Sequence, residues 1–304
     1  METYDIAVIG GGCAGASAAM YGARFNLKTI MFAEQPGGLI TTTHLVENYP
    51  GIKSISGPDM GMVFVEHAQV SGAELNFSRV NQLSKEGDLF KLGTGSGDFM
   101  AKTVVLATGT KHKHLGVPGE EEYANKGVSY CALCDAAFFK EKTVAIVGGG
   151  DSAAIEANIM TQHAAKVYVL VRKDFMRAEP VNLVRIEKDP KVEILYETEI
   201  AEINGDGEKV TYVILKSGDK LELDGVFMAI GHDPQNDLAK QIGAELDGRG
   251  FVIVNREAET NVPGFYAAGD ITDAQFKQAI IGATEGVYGS VKAYEYIQEK
   301  FGKE

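Results

Sequence analysis

The chain has 304 residues, 45% hydrophobic and 23% charged, a normal balance for a globular protein with room for two ordinary domains. Its 42 acidic and 29 basic residues leave a net charge of −13 without a long basic run, which argues against nucleic acid or an anionic membrane as the main partner. No apolar run approaches a membrane span, and three cysteines (Cys13, Cys131 and Cys134) are too few for a disulfide-built fold, so a reducing cytoplasm is the default expectation.

The chain enters a strand, Tyr4–Ile9, almost at once, and this leaves no room for a signal peptide. The strand runs into Gly10-Gly11-Gly12-Cys13-Ala14-Gly15, followed by a helix from Ala16 to Arg24, a strand Thr29–Phe32 and then Glu34. Glycines in this GxGxxG spacing permit a tight turn and close backbone approach, and the helix N-terminus behind them faces a pyrophosphate. An acid at the end of the second strand accepts hydrogen bonds from a ribose diol. GxGxxG alone is a weak signal, but strand, turn, helix, strand and acid in this order make a strong one.

Cys131-Ala132-Leu133-Cys134-Asp135 comes next, a CxxC pair set between two nucleotide motifs. One thiol of such a pair attacks a partner and the other resolves the mixed disulfide. Half a zinc site is the competing reading. It lacks further ligands, because Cys13 lies inside the glycine turn and no histidine stands at a close ligand spacing, so no metal is expected.

The dinucleotide device then returns. Thr143–Val147 leads into Gly148-Gly149-Gly150-Asp151-Ser152-Ala153, a helix from about Ala154 to Gln162, and a strand Val167–Val171 followed by Arg172-Lys173. Glu34 lies 24 residues after Gly10, and Arg172 lies 24 after Gly148, so the acidic position of the first module is basic in the second. The acid suits an unmodified ribose, whereas Arg172, Lys173 and Arg177 suit a 2′-phosphate. The first site therefore reads as a non-phosphorylated adenine dinucleotide site and the second as an NADP(H) site.

Each module continues into a strand-rich stretch, about 74–100 and 192–223, and closes on an apolar strand and glycine, Val104–Gly109 and Val226–Gly231. A tail follows, with Gly250–Val254, Pro263–Asp270 and an amphipathic helix from about Gln278 to Ile297. The simplest assembly returns this tail to the first module and inserts the second, with domains at 1–114 plus 246–304 and at 115–245.

In GGGCAG, PGG, TTTHLVENYPG, LATG, CALCD, VGGGDSA, AIGHDP, YAAGDITD and KQAI, taken in this order over nearly the whole chain, the sequence resembles the low-molecular-weight thioredoxin reductases. These belong to the two-dinucleotide-domain flavoprotein disulfide reductases. The resemblance implies an α/β fold of two Rossmann-like domains of the FAD/NAD(P)-binding, three-layer ββα type, the second inserted in the first. It also implies FAD on the first domain, NADPH and the dithiol on the second, thioredoxin as partner, and a cytoplasmic homodimer.

Carried over by motif, Gly10, Gly12, Gly15 and Glu34 would hold the adenosine and pyrophosphate of FAD. Asn48 would lie beside the flavin, Lys277, Gln278 and Ala279 along its ring, and Asp270 at the ribityl chain or the phosphates, with Gly109 also in the cofactor site. Gly148, Gly150, Ser152, Ala153, Arg172, Lys173 and Arg177 would serve NADPH. The implied mechanism passes a hydride from NADPH to FAD, and the reduced flavin opens the Cys131–Cys134 disulfide. Cys134 would face the flavin, Cys131 would attack the disulfide of thioredoxin, and Asp135 would supply the proton for the leaving thiolate. Nicotinamide and dithiol would take turns at the flavin by rotation of the inserted domain.

Three positions depart from the family pattern. Leu39 stands for the usual glutamine, Lys277 for an arginine, and Val171 for the histidine ahead of the basic pair. The last keeps a second reading open, a reductase of this type with ferredoxin or NADH as donor, or with another disulfide protein as acceptor. Plainer readings also stand beside several residues. Asp135 would cap a helix Ala136–Lys140, Cys13 would fill a small gap, Lys111–His114 would be a solvated crossover, and His232 would shape a turn.

Overall fold

A computed structural model of the protein describes residues 2–42, 45–130 and 132–302, with Leu45, Leu133 and Cys134 described by backbone alone. The chain divides into two compact units, one made of Met1–Lys111 and Pro234–Glu304, the other of His112–Asp233.

In the first unit the strand Thr3–Ile9 sits at the centre of a seven-stranded sheet. Thr29–Phe32 and then Glu74–Asn76 extend the sheet on one side in parallel. Gly97–Leu106 lies on the other side. This long strand is shared. Its first half takes the antiparallel meander of Leu89–Thr94 and Val80–Glu86, and its second half pairs in parallel with Phe265–Ala267.

Side chains alternate across the sheet, so neighbours along the central strand serve different cores. Ala7 and Ile9 join Phe32, Phe90, Val104 and Phe265 on one face. Ile6 and Val8 join Met31, Val105 and the helices Cys13–Arg24 and Ala279–Phe301 on the other. Both faces are covered, which explains why the strands read as continuous apolar runs. A side chain as wholly buried as Phe265 contributes about 1.5–3 kcal/mol.

The two helices approach closely because Gly282, Gly286 and Gly289 form one buried stripe of the C-terminal helix. A Cβ on Gly286 would stand 2.1 Å from the carbonyl oxygen of Ala14, so no other residue fits there.

The second unit repeats the plan. Val128–Ser129, Gly225–Met228, Thr143–Val147, Lys166–Leu170 and Val192–Leu195 make a five-stranded sheet, parallel throughout. One face carries Val144, Ile146, Val167 and Phe227 against the helix Asp151–Thr161. The other carries Ala145, Val147, Leu170 and Val226 against a separate antiparallel sheet of Ile200–Gly205, Val210–Leu215 and Lys220–Glu222. In the first unit the corresponding strands continue the main sheet instead of standing apart.

Several elements differ in extent from the sequence reading. The first helix starts at Cys13, three residues before Ala16, and the second glycine loop opens its helix at Asp151, three before Ala154. Residues 234–245 fall with the first unit and 112–114 with the second. The reason is local: Leu238, Ala239 and Ala244, in and just after the short helix Asp237–Gln241, are buried in the core around Ile9 and Phe265.

Candidate active site

In the first unit the glycine loop is shaped by what its backbone touches. Gly10 takes φ +121, and a Cβ there would sit 2.0 Å from the carbonyl oxygen of Ala107. A Cβ on Gly15 would sit 1.9 Å from the carbonyl oxygen of Gly10. Gly12 is different: it caps the helix Cys13–Arg24 with no side-chain hydrogen bond and no acid in the first turn. A Cβ on Gly12 would meet Gly38 Cα at 3.8 Å and the Gly37 carbonyl oxygen at 3.9 Å, ordinary contacts that leave room for it. This is a cradle for an anion, with backbone N–H groups and the helix dipole aimed at it. It fits the pyrophosphate of a dinucleotide.

The other expected residues of this unit are placed as follows. Glu34 follows the strand Thr29–Phe32, is exposed, and meets Arg79 Nη1 at 3.5 Å, a partner not expected from the sequence. Gly109 takes φ +63 with open space around its Cβ position. Asn48 donates from Nδ2 to Gln278 Oε1 at 3.0 Å, and Ala279 starts the C-terminal helix.

Burial raises the Asp270 carboxyl above the usual carboxylate range, and Lys277 opposes the shift. The Lys277 ammonium donates to the backbone carbonyls of Asp270 (3.1 Å) and Thr272 (2.6 Å) and lies 4.1 Å from the Phe251 ring centre. Glu285, which no motif announced, accepts from Gly269 N–H at 2.7 Å and from the Thr272 hydroxyl at 3.3 Å, fixing the turn that carries Asp270. Burial pushes the Cys13 thiol up to about 12, so it is a packed, unreactive group.

In the second unit Gly148 takes φ +153, and a Cβ there would lie 2.2 Å from the Ala229 carbonyl oxygen. Gly150 caps the helix Asp151–Thr161 without a side-chain bond, and nothing stands within 4 Å of its Cβ position. Ser152 is exposed and Ala153 buried in the first turn of that helix. Arg177 N–H donates to the Gly149 carbonyl at 2.7 Å, which ties the basic segment to the glycine loop. Among the described residues, the guanidinium groups of Arg172 and Arg177 have no hydrogen-bond or ion-pair partner. Lys173 lies 5.1 Å from the Phe175 ring centre. Asp151 accepts from Glu179 N–H and Asn182 Nδ2, so the acid of the first turn is engaged away from a phosphate. Val171 is buried, and its Cγ1 would meet a Cβ on Gly149 at 2.8 Å.

The dithiol is carried by this unit's chain. Cys131 lies outside the described residues; the backbone of Cys134 falls in the short helix Ala132–Asp135. Asp135 makes no side-chain cap to the turn Ala136–Phe139, so the capping role is not taken. Just upstream, the buried Glu120 accepts from Tyr130 Oη at 2.7 Å and from the N–H groups of Leu115 and Gly116. Burial works against its charge, yet these donors hold its carboxyl below the ordinary range. His232 opens the short strand His232–Pro234, and its ring lies 4.7 Å from that of His112. Lys113 meets Asp233 at 3.5 Å.

Glu156 was not singled out by the sequence. Its Oε2 is buried with no hydrogen-bond partner among the described residues, and burial pushes the carboxyl up to about 8. The signal was available: Ala153, Ala157 and Met160 are buried at helical spacing around it, so an acid interrupts an apolar stripe.

Among the described residues there is no group of three or more His, Cys, Asp or Glu placed to hold a metal, and no helix long and apolar enough to cross a membrane.

Comparison with known proteins agrees with this geometry. The pyridine nucleotide-disulphide oxidoreductase family profile matches residues 4–286. The thioredoxin reductase of Listeria innocua is 39% identical over 305 residues, covering 98% of this chain and 95% of that protein. That of Mycolicibacterium smegmatis is 41% identical, covering 98% and 97%. The solved structure of Lactococcus lactis thioredoxin reductase superposes with a TM-score of 0.94 at 35% identity, covering 97% of this chain and 99% of that one.

Proposed function

From the premise that the chain belongs to the pyridine nucleotide-disulphide oxidoreductase family, in its thioredoxin reductase branch, we propose how its residues divide the work. The activity is that of a thioredoxin-disulfide reductase, and FAD and NADPH are the cofactors of this branch. In our reading FAD occupies the unit of Met1–Lys111 and Pro234–Glu304. Gly12 and the free N-terminus of helix Cys13–Arg24 take its pyrophosphate, Glu34 its ribose, and Asp270, Lys277, Asn48 and Gln278 the remainder. NADPH occupies the unit of His112–Asp233, with Gly150 at the pyrophosphate and Arg172, Lys173 and Arg177 at the 2′-phosphate.

The observation that carries this reading is the pair of glycine-capped helix N-termini without a side-chain cap, one in each unit. The first is followed by an acid and the second by guanidinium groups without partners. When bound, the two cofactors supply hydride transfer and its relay as electron pairs. The chain supplies the disulfide of Cys131 and Cys134, with Asp135 as a nearby proton donor whose carboxyl is not spent on a helix cap. Cys131 is the sulfur that engages the disulfide of thioredoxin, and Cys134 is the flavin-side sulfur.

We place the enzyme in the cytoplasm as a homodimer. Met62 and Val63 of helix Gly57–Val70, with Ile281 and Tyr288 of the C-terminal helix, expose the apolar surface that a second copy would cover. Light scattering gives the mass directly, and a monomer would refute that part.

Stopped-flow mixing of the FAD-loaded enzyme with NADPH, and separately with NADH, tests the donor. Fast bleaching of the flavin band by NADPH supports the reading. Failure to bleach at saturating NADPH, with bleaching by NADH or by a reduced ferredoxin, moves the chain to the second reading that Val171 raises.

A further inference from the structure

The chain crosses between its two units after Lys111 and again after Asp233. The crossings are paired: Thr110–His112 and His232–Pro234 form a sheet of two strands. Lys113 N–H donates to the Gly231 carbonyl at 2.9 Å, and Gln235 N–H to the Gly109 carbonyl at 3.0 Å. One number rises as the other falls, so the pairing is antiparallel and its register sets His112 opposite His232. These bonds mark the hydrogen-bonded positions of the ladder. His112 and His232 take a position between them, where facing side chains come closest. Pro234, which has no N–H to give, takes the matching position opposite Thr110.

The side chains follow this register. The His112 and His232 rings are both half-buried, with their centres 4.7 Å apart. Lys111, Lys113 and Asp233 fall on the other face by alternation and are exposed, and Lys113 is paired with Asp233 at 3.5 Å. The third histidine of this stretch is engaged elsewhere: His114 Nδ1 lies 2.8 Å from Tyr130 Oη, which also donates to Glu120. Neither the His112 nor the His232 ring has a hydrogen bond or an ion pair to another described residue.

Two rings at this distance are in packing contact, but the spacing is also that of two imidazoles on one metal ion. With a metal–nitrogen bond of about 2.0–2.1 Å and about 1.2 Å more to the ring centre, bond angles of about 90–109° put the two centres about 4.5–5.2 Å apart. The separation of 4.7 Å falls inside that range. Imidazole nitrogen favours Zn2+, Cu2+ or Ni2+ over Mg2+ and Ca2+, which take oxygen ligands. No third His, Cys, Asp or Glu among the described residues completes the set, so water fills the remaining positions and the ion exchanges.

We propose that His112 and His232 form a two-histidine site for a divalent transition-metal ion of the zinc class, set on the two strands that join the units. An ion held there links the strands through their side chains as well as through the backbone ladder. It stiffens the stretch by which the chain passes from one unit to the other.

The test titrates Zn2+ alone into the full-length, FAD-loaded, untagged protein by calorimetry. The titration is repeated in Cys131→Ser/Cys134→Ser, so that no thiolate competes for the metal and the result is independent of the redox reading. Saturable binding of one ion per chain is expected in that background. His112→Ala and His232→Ala should each weaken it at least about 10-fold, the least that even an outer partner of a metal site costs. His114→Ala should leave it unchanged. Retained flavin absorbance and an unshifted thermal melt show that these variants are folded. Pulsed electron paramagnetic resonance of bound Cu2+ counts the coordinating imidazoles without any variant, and two are expected. The amides of Lys113 and Gln235 should exchange hydrogen more slowly with Zn2+ bound. A single imidazole on Cu2+, no saturable Zn2+ binding, or binding that survives both substitutions would leave the pair as packed rings and overturn the proposal. Binding with unchanged amide exchange would overturn the stiffening.

Discussion

Asn48 donates its side-chain amide to Gln278 at 3.0 Å, joining two stretches separated by 230 positions in the chain. Both residues come from motifs that the family resemblance puts beside the flavin, and the hydrogen bond brings them to one place before any cofactor is considered. Gln278 also caps the C-terminal helix through its backbone, so the contact reaches the start of that helix. Asn48→Ala or Gln278→Ala is expected to weaken FAD binding about 5-fold, the worth of one hydrogen bond of about 1 kcal/mol. Fluorescence titration of the apoprotein with FAD measures this, and unchanged affinity in both variants would remove the pair from the site.

The two cradle glycines make a second test, because the free protein has room for a methyl group at each. Gly12→Ala and Gly150→Ala place a Cβ where the nearest atoms are 3.8 Å away or beyond 4 Å, with ordinary backbone angles of φ −78 and −105. Their thermal stability is therefore expected to stay near that of the wild type apoprotein. Gly12→Ala should lose FAD on gel filtration, and Gly150→Ala should raise the KM for NADPH while FAD stays bound. Gly15→Ala is the contrasting control, since its methyl would collide with the Gly10 carbonyl oxygen at 1.9 Å and destabilise the loop itself.

Arg172 and Arg177 have guanidinium groups with no partner among the described residues. Each charge-assisted bond to a phosphate is worth about 1.5–3 kcal/mol. Arg172→Ala or Arg177→Ala should therefore raise the KM for NADPH about 10- to 100-fold. The KM for NADH should move little, because NADH has no 2′-phosphate. Steady-state kinetics with both nucleotides decides it, and equal losses for the two would count against a phosphate role.

Glu156 makes a prediction about stability. Its folded-state pKa is raised by burial from 4.5 to about 8. The group therefore favours the folded state fully below pH 4.5, and that advantage is lost as the pH rises through about 8. Glu156→Gln does not titrate, so its stability relative to the wild type should improve steadily over this window. At about 1.4 kcal/mol per pKa unit, the relative gain should reach a few kcal/mol at alkaline pH. Paired thermal melts at acid and alkaline pH read the difference, and a constant gap would contradict a buried titrating acid.

What the sequence made legible were features written in local spacing. Gly10 to Glu34 and Gly148 to Arg172 share one offset of 24 residues, and the structure puts each acid or base just after the second strand of its unit. The apolar pattern places the helix starts three residues late, since Cys13 and Asp151 are weak helix signals, although the backbone already turns at the glycines before them. Glu285 was invisible because its partners, Gly269 and Thr272, are separated from it by loop and helix with no periodic cue. The motif order assigns residues 234–245 to the second unit, but Leu238 and Ala239 are buried in the core of the first, a choice made by tertiary packing. Lys277 stands where the family pattern has an arginine. The structure shows its ammonium holding two backbone carbonyls, a task that a single cation performs.

The central claim is that electrons pass from NADPH through the flavin to Cys131 and Cys134 and on to thioredoxin. The measurement closest to it is an anaerobic count of alkylated cysteines after one equivalent of NADPH, repeated after oxidised thioredoxin is added. The account predicts modification at Cys131 and Cys134, its disappearance once thioredoxin is present, and a flavin that stays bleached in Cys134→Ser. A wild-type enzyme whose flavin is bleached by NADPH while both cysteines remain unmodified would contradict it.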